Sequence, residues 1–475
     1  MPSPLRFTLA TVLTTLLLAA GFRAHAQEPT ATPTPTAAPS PTPTAPTPTA
    51  TPTTAPTPTP TPTGPPPFQP VVTWYFAEGS TAPPFDTWFL VQNPTGDPAR
   101  VRFTFQLEGG GASVAEFLVN PHSRFSLFAN QVLPGRAFST RVEADKQIYV
   151  ERSMFVGFDG HNVPGIKAPN TRWLFAEGST QSPFHTWLLL QNPNAEAATA
   201  TVTYLVQGGS PATQVLLLPP LSRTSIFVNE VLPNVAFSIQ VQGDRPLVAE
   251  RAMYRFPGNA ASAVSGANQP ARTWYFAEGN TGARGLPTDT WLLLQNPNNA
   301  FVTVNVTLYR ETGGPVVLTP TLPPLSRQSL FLNEFIQGSF GIKVEAPSDI
   351  VAERSIFIGT EPRGASTTVG SPELANNWFL AEGSTAPPFD TVIAFVNPGS
   401  GTATVNINFE LETGSVVPFQ LSVPPQAKRS LLVDDLFPFA ALSARIEVNQ
   451  PVVVERTMYI SKLGRLGLHI KTGLR

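Results

Sequence analysis

The sequence predicts an all-β protein: four tandem immunoglobulin-like β-sandwich domains after a disordered Thr/Pro-rich spacer. Three observations predict it. A unit of roughly 100 residues recurs four times, apolar residues inside each unit alternate with polar ones, and the stretch ahead of the first unit is almost entirely Thr, Pro and Ala.

The N-terminus comes first in the chain. Residues 1–26 read as a signal peptide, with Arg6 as the positive end, an apolar stretch over 7–21, and Ala24-His25-Ala26 as a small-x-small cleavage pattern that leaves Gln27 first. That apolar stretch is diluted by Thr11, Thr14 and Thr15 and falls short of the roughly 20 residues that cross a bilayer. The mature chain is therefore expected to carry no transmembrane helix and to be secreted or extracellular, with cell-surface association. Residues 27–70 follow as the spacer. Repeated Thr-Pro, as in Thr57-Pro58-Thr59-Pro60, offers no apolar surface to bury and no donor at each proline. Polyproline II geometry at about 3.1 Å per residue would give it a reach of roughly 130 Å.

The repeats are marked by long motifs. Trp74-Tyr75-Phe76-Ala77-Glu78-Gly79-Ser80-Thr81 returns from Trp173, Trp274 and Trp378. A second block ends in Gln92-Asn93-Pro94, Gln191-Asn192-Pro193, Gln295-Asn296-Pro297 and Val396-Asn397-Pro398, and each copy closes on Glu-Arg: Glu151-Arg152, Glu250-Arg251, Glu353-Arg354 and Glu455-Arg456. Modules are expected over 71–158, 170–257, 271–360 and 375–462, with 463–475 as a C-terminal tail. Within a copy the period is two: Val101, Phe103 and Phe105 alternate with Arg102 and Thr104, and Val405, Ile407 and Phe409 with Asn406 and Asn408. Strands are expected to begin near Thr73, Asp86, Arg100, Ser113, Ser123, Phe138 and Gln147, a number that suits a sandwich. A propeller with two blades per repeat would need an even strand count. The Gly/Pro segments 159–169, 257–270 and 362–372 read as linkers, so the expected shape is a chain of beads with limited bending.

Core packing is the expected role of the recurring Trp74, Trp173, Trp274 and Trp378; an exposed glycan-stacking platform is the alternative. Charges in apolar strands must be paired. The expected pairs are Glu78 with Arg152, Glu177 with Arg251, Glu278 with Arg354, and Glu382 with Arg456. The basic residue after each Pro turn, Arg124, Arg223, Arg327 or Lys428, competes for the glutamates.

Several chemistries are excluded or disfavoured. The chain has 30 Lys plus Arg against 32 Asp plus Glu, so no basic field favours nucleic acid. Cys is absent, which removes disulfides and thiolate chemistry. His122, His161, His185 and His469 occupy unrelated positions, so no catalytic triad or His metal pair is expected, and no catalytic residue, metal or cofactor is assigned. Asp86, Asp289 and Asp390 share a place before Thr, but His185 replaces them in the second copy, which points to turn capping over calcium. Glu78 and Glu151 could formally supply the two carboxylates of a glycosidase, yet both lie in strand interiors.

The Trp-Tyr-Phe-Ala-Glu-Gly-Ser-Thr opening, the Thr-Trp-Leu-Leu-Leu-Gln-Asn-Pro block (Thr186 and Thr290 onward), the Pro-x-Ser-Arg turn and the closing Ala-Glu-Arg-x-Met-Tyr at Ala249 resemble a bacterial family of secreted repeat modules with no assigned function. The resemblance spans Trp74 to about Ile460 and implies export, repetition and surface association. Val392 and Lys428 in the fourth copy depart from the pattern. The functional expectation is a non-enzymatic extracellular structural or adhesive surface protein with an unidentified surface or extracellular partner. The alternatives are a carbohydrate-binding module array, whose partner would be a polysaccharide, and a glycoside hydrolase-like enzyme.

Overall fold

Alternating apolar and polar side chains give a strand one dry face, and two such faces make a core. The computed structural model describes residues 68–255, 260–282, 285–361 and 363–475; the signal peptide and nearly all of the spacer lie outside them. The first repeat contains β1 (Val72–Phe76), β2 (Asp86–Asn93), β3 (Ala99–Leu107), β4 (Ala112–Val119), β5 (Ser123–Phe128), β6 (Phe138–Ala144), β7 (Tyr149–Val156) and β8 (Asp159–Pro164). All seven expected strand starts fall within two residues of an observed one. The eighth strand was read as linker.

The strands form two antiparallel sheets, ordered β1-β6-β3-β4 and β5-β2-β7-β8. Between them Phe89 packs edge-on to Phe76 at 5.3 Å and to Phe103 at 5.4 Å, beside buried Trp74. In the other repeats the counterparts of β6 and β7 run on as one strand, Phe237–Arg255, Ser339–Ile358 and Leu442–Lys462, which belongs to both sheets. The chain is thus all-β, built of four two-sheet repeats.

One feature breaks the alternation. β7 and β8 are buried on both faces almost throughout, and a single repeat can cover only one of them. The second cover comes from other repeats. The counterparts of β8 are Ala260–Ser265, Gly364–Val369 and Arg465–Thr472. Each of these inner strands packs against two others in the cyclic order first, second, third, fourth, first, so the repeats close into a ring. The join of fourth to first is as intimate as the rest, with Tyr149 stacked on Phe379 at 3.8 Å.

This corrects the expected string of beads. Residues 159–164, 260–265 and 364–369 are strands, as is most of the expected tail 463–475. The physical reason is composition. Ala260-Ala261-Ser262-Ala263 and Gly364-Ala365-Ser366-Thr367 are small residues with no large apolar alternation, which four strands crowded around one axis require. Among the described residues no helix is long and apolar enough to cross a membrane.

Candidate functional site at the junctions and the axis

Adjacent residues on a strand point to opposite faces, so each Glu-Arg pair serves two junctions. Arg152 on β7 reaches Glu78 Oε2 at 2.9 Å and the Glu78 carbonyl at 2.6 Å in its own repeat, and Glu250 Oε2 at 2.8 Å in the next. Glu250 also accepts the Ala77 N–H at 2.8 Å. Arg251 repeats this with Glu177 at 3.4 Å and Glu353 at 2.7 Å. Arg456 joins Glu382 at 2.8 Å to Glu151 of the first repeat, also at 2.8 Å. With Arg354 and Glu455 linking the third repeat to the fourth, the arginine-to-glutamate links between repeats return to the first.

Three of the four expected pairs are present and one is not. Arg354 donates to the Glu278 main-chain carbonyl and takes the Glu455 carboxylate at 2.6 Å, while the Glu278 carboxylate is held by Lys428 Nζ at 2.7 Å. The other turn arginines do not reach the glutamates. Arg124 Nη1 donates to the Gly383 and Leu442 carbonyls, Arg223 Nη1 to Gly79 and Phe138, and Arg327 Nη1 to Gly178 and Phe237. Each reaches into the preceding repeat. Lys428, at the corresponding place, carries its Nζ to the Glu278 carboxylate and to Ser339 Oγ at 2.5 Å instead. Burial pushes the Glu250 and Glu353 carboxyls up, against the pull of their arginines.

The partners of Glu151, Glu250, Glu353 and Glu455 were missed in the sequence. The signal was present: pairing within a repeat used each arginine once and left four glutamates on apolar strands with no partner. The recurring glutamine was missed as well. Gln92 Nε2 donates to Glu410 at 2.8 Å and Gln191 Nε2 to Gln106 at 2.7 Å, both across junctions.

The tryptophans weighed for glycan stacking lie in the cores: Trp74, Trp173, Trp274 and Trp378 are 0%, 3%, 2% and 0% exposed. Their indole N–H groups donate to main-chain carbonyls of Ile148, Leu247, Ile350 and Ala375 at 2.9–3.2 Å. The stacking alternative is thereby corrected, because a buried ring has no face to offer a sugar.

At the axis the inner strands are sheet edges, whose main-chain groups need partners. Asp159 provides one set. Its carboxylate accepts the N–H of Ala261 at 3.2 Å, Ala365 at 2.9 Å and Leu468 at 2.9 Å, one from each of the other repeats. Burial outweighs these donors and pushes its pKa up to about 7. Lys471 provides the complement, donating to the Ala263 and Thr367 carbonyls at 2.6 Å each. Burial, with Arg354 and Arg251 nearby, brings its pKa down to about 7. His161 and His469 are buried beside the axis and held well below the usual histidine range by burial. Among the described residues no group of three or more His, Cys, Asp or Glu is arranged to hold a metal ion.

Among the described residues, clefts open at two of the junctions. One of about 400 Å³ lies between the first and fourth repeats, lined by Asp86, Trp88, Phe155, Phe158, Phe389 and Ile460 among others. The other, about 690 Å³, lies between the second and third, with Phe184, Arg255, Asp289, Trp291, Phe357 and Arg363 in its walls.

No protein-family model matches the chain, and no curated protein does. Among solved structures it is similar to "Crystal Structure of Thermotoga maritima 1070", at 25% identity over 22% of this chain and 94% of that one, with a TM-score of 0.20. It is also similar to a "tetra-tandem repeat in extending region of large adhesion protein", at 12% identity over 81% of this chain and 93% of that one, TM-score 0.10. A Streptomyces avermitilis alpha-L-rhamnosidase complexed with L-rhamnose follows at 9% identity over 78% and 55%, TM-score 0.12. Likenesses at these TM-scores carry no functional argument.

Proposed function

We propose that this chain is an exported, non-enzymatic binding or structural head, a four-repeat β ring presented outside the cell on a Thr/Pro-rich spacer, of the secreted repeat-module kind its motifs resemble. The observation that carries the reading is the use made of the recurring charged residues. Glu78 and Glu151, the formal candidates for a glycosidase pair, face different junctions: Glu78 meets Arg152 and Glu151 meets Arg456. Both are buried in ion pairs, so each carboxylate is engaged in holding repeats together. Reach in this reading comes from the spacer, because the ring does not extend. Contact with a surface or extracellular partner then falls to the outer faces and the junction clefts.

Cell fractionation with N-terminal sequencing tests the export half of the reading. The expected outcome is a chain outside the cytoplasm that begins at Gln27; an intact Met1 terminus on cytoplasmic protein would overturn it. Turnover of aryl glycosides that is lost in Glu151→Gln without loss of the fold would overturn the non-enzymatic half. Retention on insoluble glycan would favour the carbohydrate-binding alternative, with the half-exposed Trp88, Trp187 and Trp291 as the rings to change.

A further inference from the structure

The two clefts are built from equivalent positions. Phe389 pairs with Ile460 on the adjacent strand as Phe184 pairs with Arg255, and Asp86 pairs with Phe155 as Asp289 pairs with Phe357. In the second–third cleft the protein sets a cation of its own against the aromatic pair. The Phe184 and Phe357 rings are 5.9 Å apart, and the Arg255 guanidinium lies 5.5 Å from one centroid and 5.7 Å from the other. Glu361 balances its charge at 2.7 Å, and Asp289 pairs with Arg363.

The first–fourth cleft keeps the rings and the carboxylate and lacks both cations. Phe155 and Phe389 are 5.7 Å apart, and half-exposed Trp88 stacks on Phe128 at 4.5 Å alongside. Ile460 stands where Arg255 stands, and Phe158, ahead of β8, stands where Arg363 does. Asp86, exposed at the rim, has a long 3.4 Å hydrogen bond from Asn130. Two other cations are near. Arg465 lies over the outer ring, Phe158, at 5.4 Å, and Lys462 is exposed at the rim on a stem that can turn to water. Arg124 in the wall does not forbid a guanidinium, since Arg327 holds the same place in the cleft that already contains Arg255.

We propose that the first–fourth cleft binds a small guanidinium compound of about arginine's size, seated against the Phe155–Phe389 pair as Arg255 is seated against Phe184 and Phe357, with Asp86 as counter-charge. Aromatic faces attract a desolvated cation, and a cleft of about 400 Å³ is in the range that holds such a ligand. The inference stands apart from export and from the non-enzymatic reading.

Calorimetric titration of the full chain with N-acetyl-L-arginine amide tests it. One site per chain with a Kd of about 1 mM or tighter is expected, and the neutral isostere N-acetyl-L-citrulline amide should bind roughly tenfold more weakly or worse. Ile460→Arg supplies the cleft with its own guanidinium and should abolish binding. Asp86→Asn, at an exposed position that leaves the core untouched, should weaken it several-fold at an unchanged melting temperature. Equal affinity for the citrulline compound, full binding by a folded Ile460→Arg chain, or no heat at about 10 mM ligand from a correctly melting chain would each overturn the proposal.

Discussion

Glu353 and Glu177 both meet Arg251, yet they are held differently. Glu353 is fully buried, takes the guanidinium at 2.7 Å and accepts the Ala176 N–H at 2.9 Å; Glu177 is 3.4 Å from the same arginine and has hydroxyl donors in Ser355 and Thr367. Glu353→Gln should therefore cost about 3–5 kcal/mol, as expected for breaking a buried pair, and Glu177→Gln distinctly less, read by denaturant unfolding. Asp159 makes a second prediction. Because its carboxyl is held at about 7, the folded chain keeps a proton there that the unfolded chain has already released. The stability this gives is complete below about pH 4 and falls away as pH rises to 7. Asp159→Ala should flatten that slope in the difference between variant and parent melting curves, while costing about 3 kcal/mol or more for the three N–H groups left without an acceptor. At this scale the sequence was half legible. A charge on an apolar face announces that it needs a partner, and the within-repeat choice was right for Arg152, Arg251 and Arg456. It says nothing about partners a hundred residues away, and Lys428 took Glu278 because one substitution at a turn changed who could reach it.

Strand positions were the most legible elements, because a period of two over Val101 to Phe105 or Val405 to Phe409 has no other ready reading. The inner strands were not legible. In Ala260–Ser265 and Gly364–Val369 burial on both faces erases the alternation and crowding at the axis keeps most side chains small, so what remains looks like a Gly/Ala/Ser linker. Their importance can be measured. A chain ending at Leu463 loses buried Leu468 and Ile470 together with the Lys471 bonds to two other repeats. It should melt several degrees lower and become susceptible to proteases at Asp159–Pro164 and Gly364–Val369, the strands it uncovers; unchanged melting and digestion would contradict the ring.

The count of four units was plain from the sequence, and their arrangement was not, since a repeat of about 100 residues is large enough to fold alone. Closure changes the expected unfolding. Beads would melt separately, whereas repeats that share ion pairs and an axial core should lose structure together, so calorimetry of the full chain should give one transition. A single repeat cut out over 170–266 carries half of two junctions and should not persist as a folded monomer at low concentration, which light scattering and circular dichroism would establish. The axis imposes one more condition. The place taken by Asp159 is occupied by Ala260, Gly364 and Gly467 in the other repeats, and a β-carbon at Gly467 would come within 2.4 Å of the Asp159 carboxylate. A point shared by every copy has room for one side chain larger than a methyl group. Four identical copies would therefore either collide at the centre or leave it empty, so divergence among the duplicated units is a requirement of their closing up, and the order in which they follow one another along the polypeptide is not interchangeable.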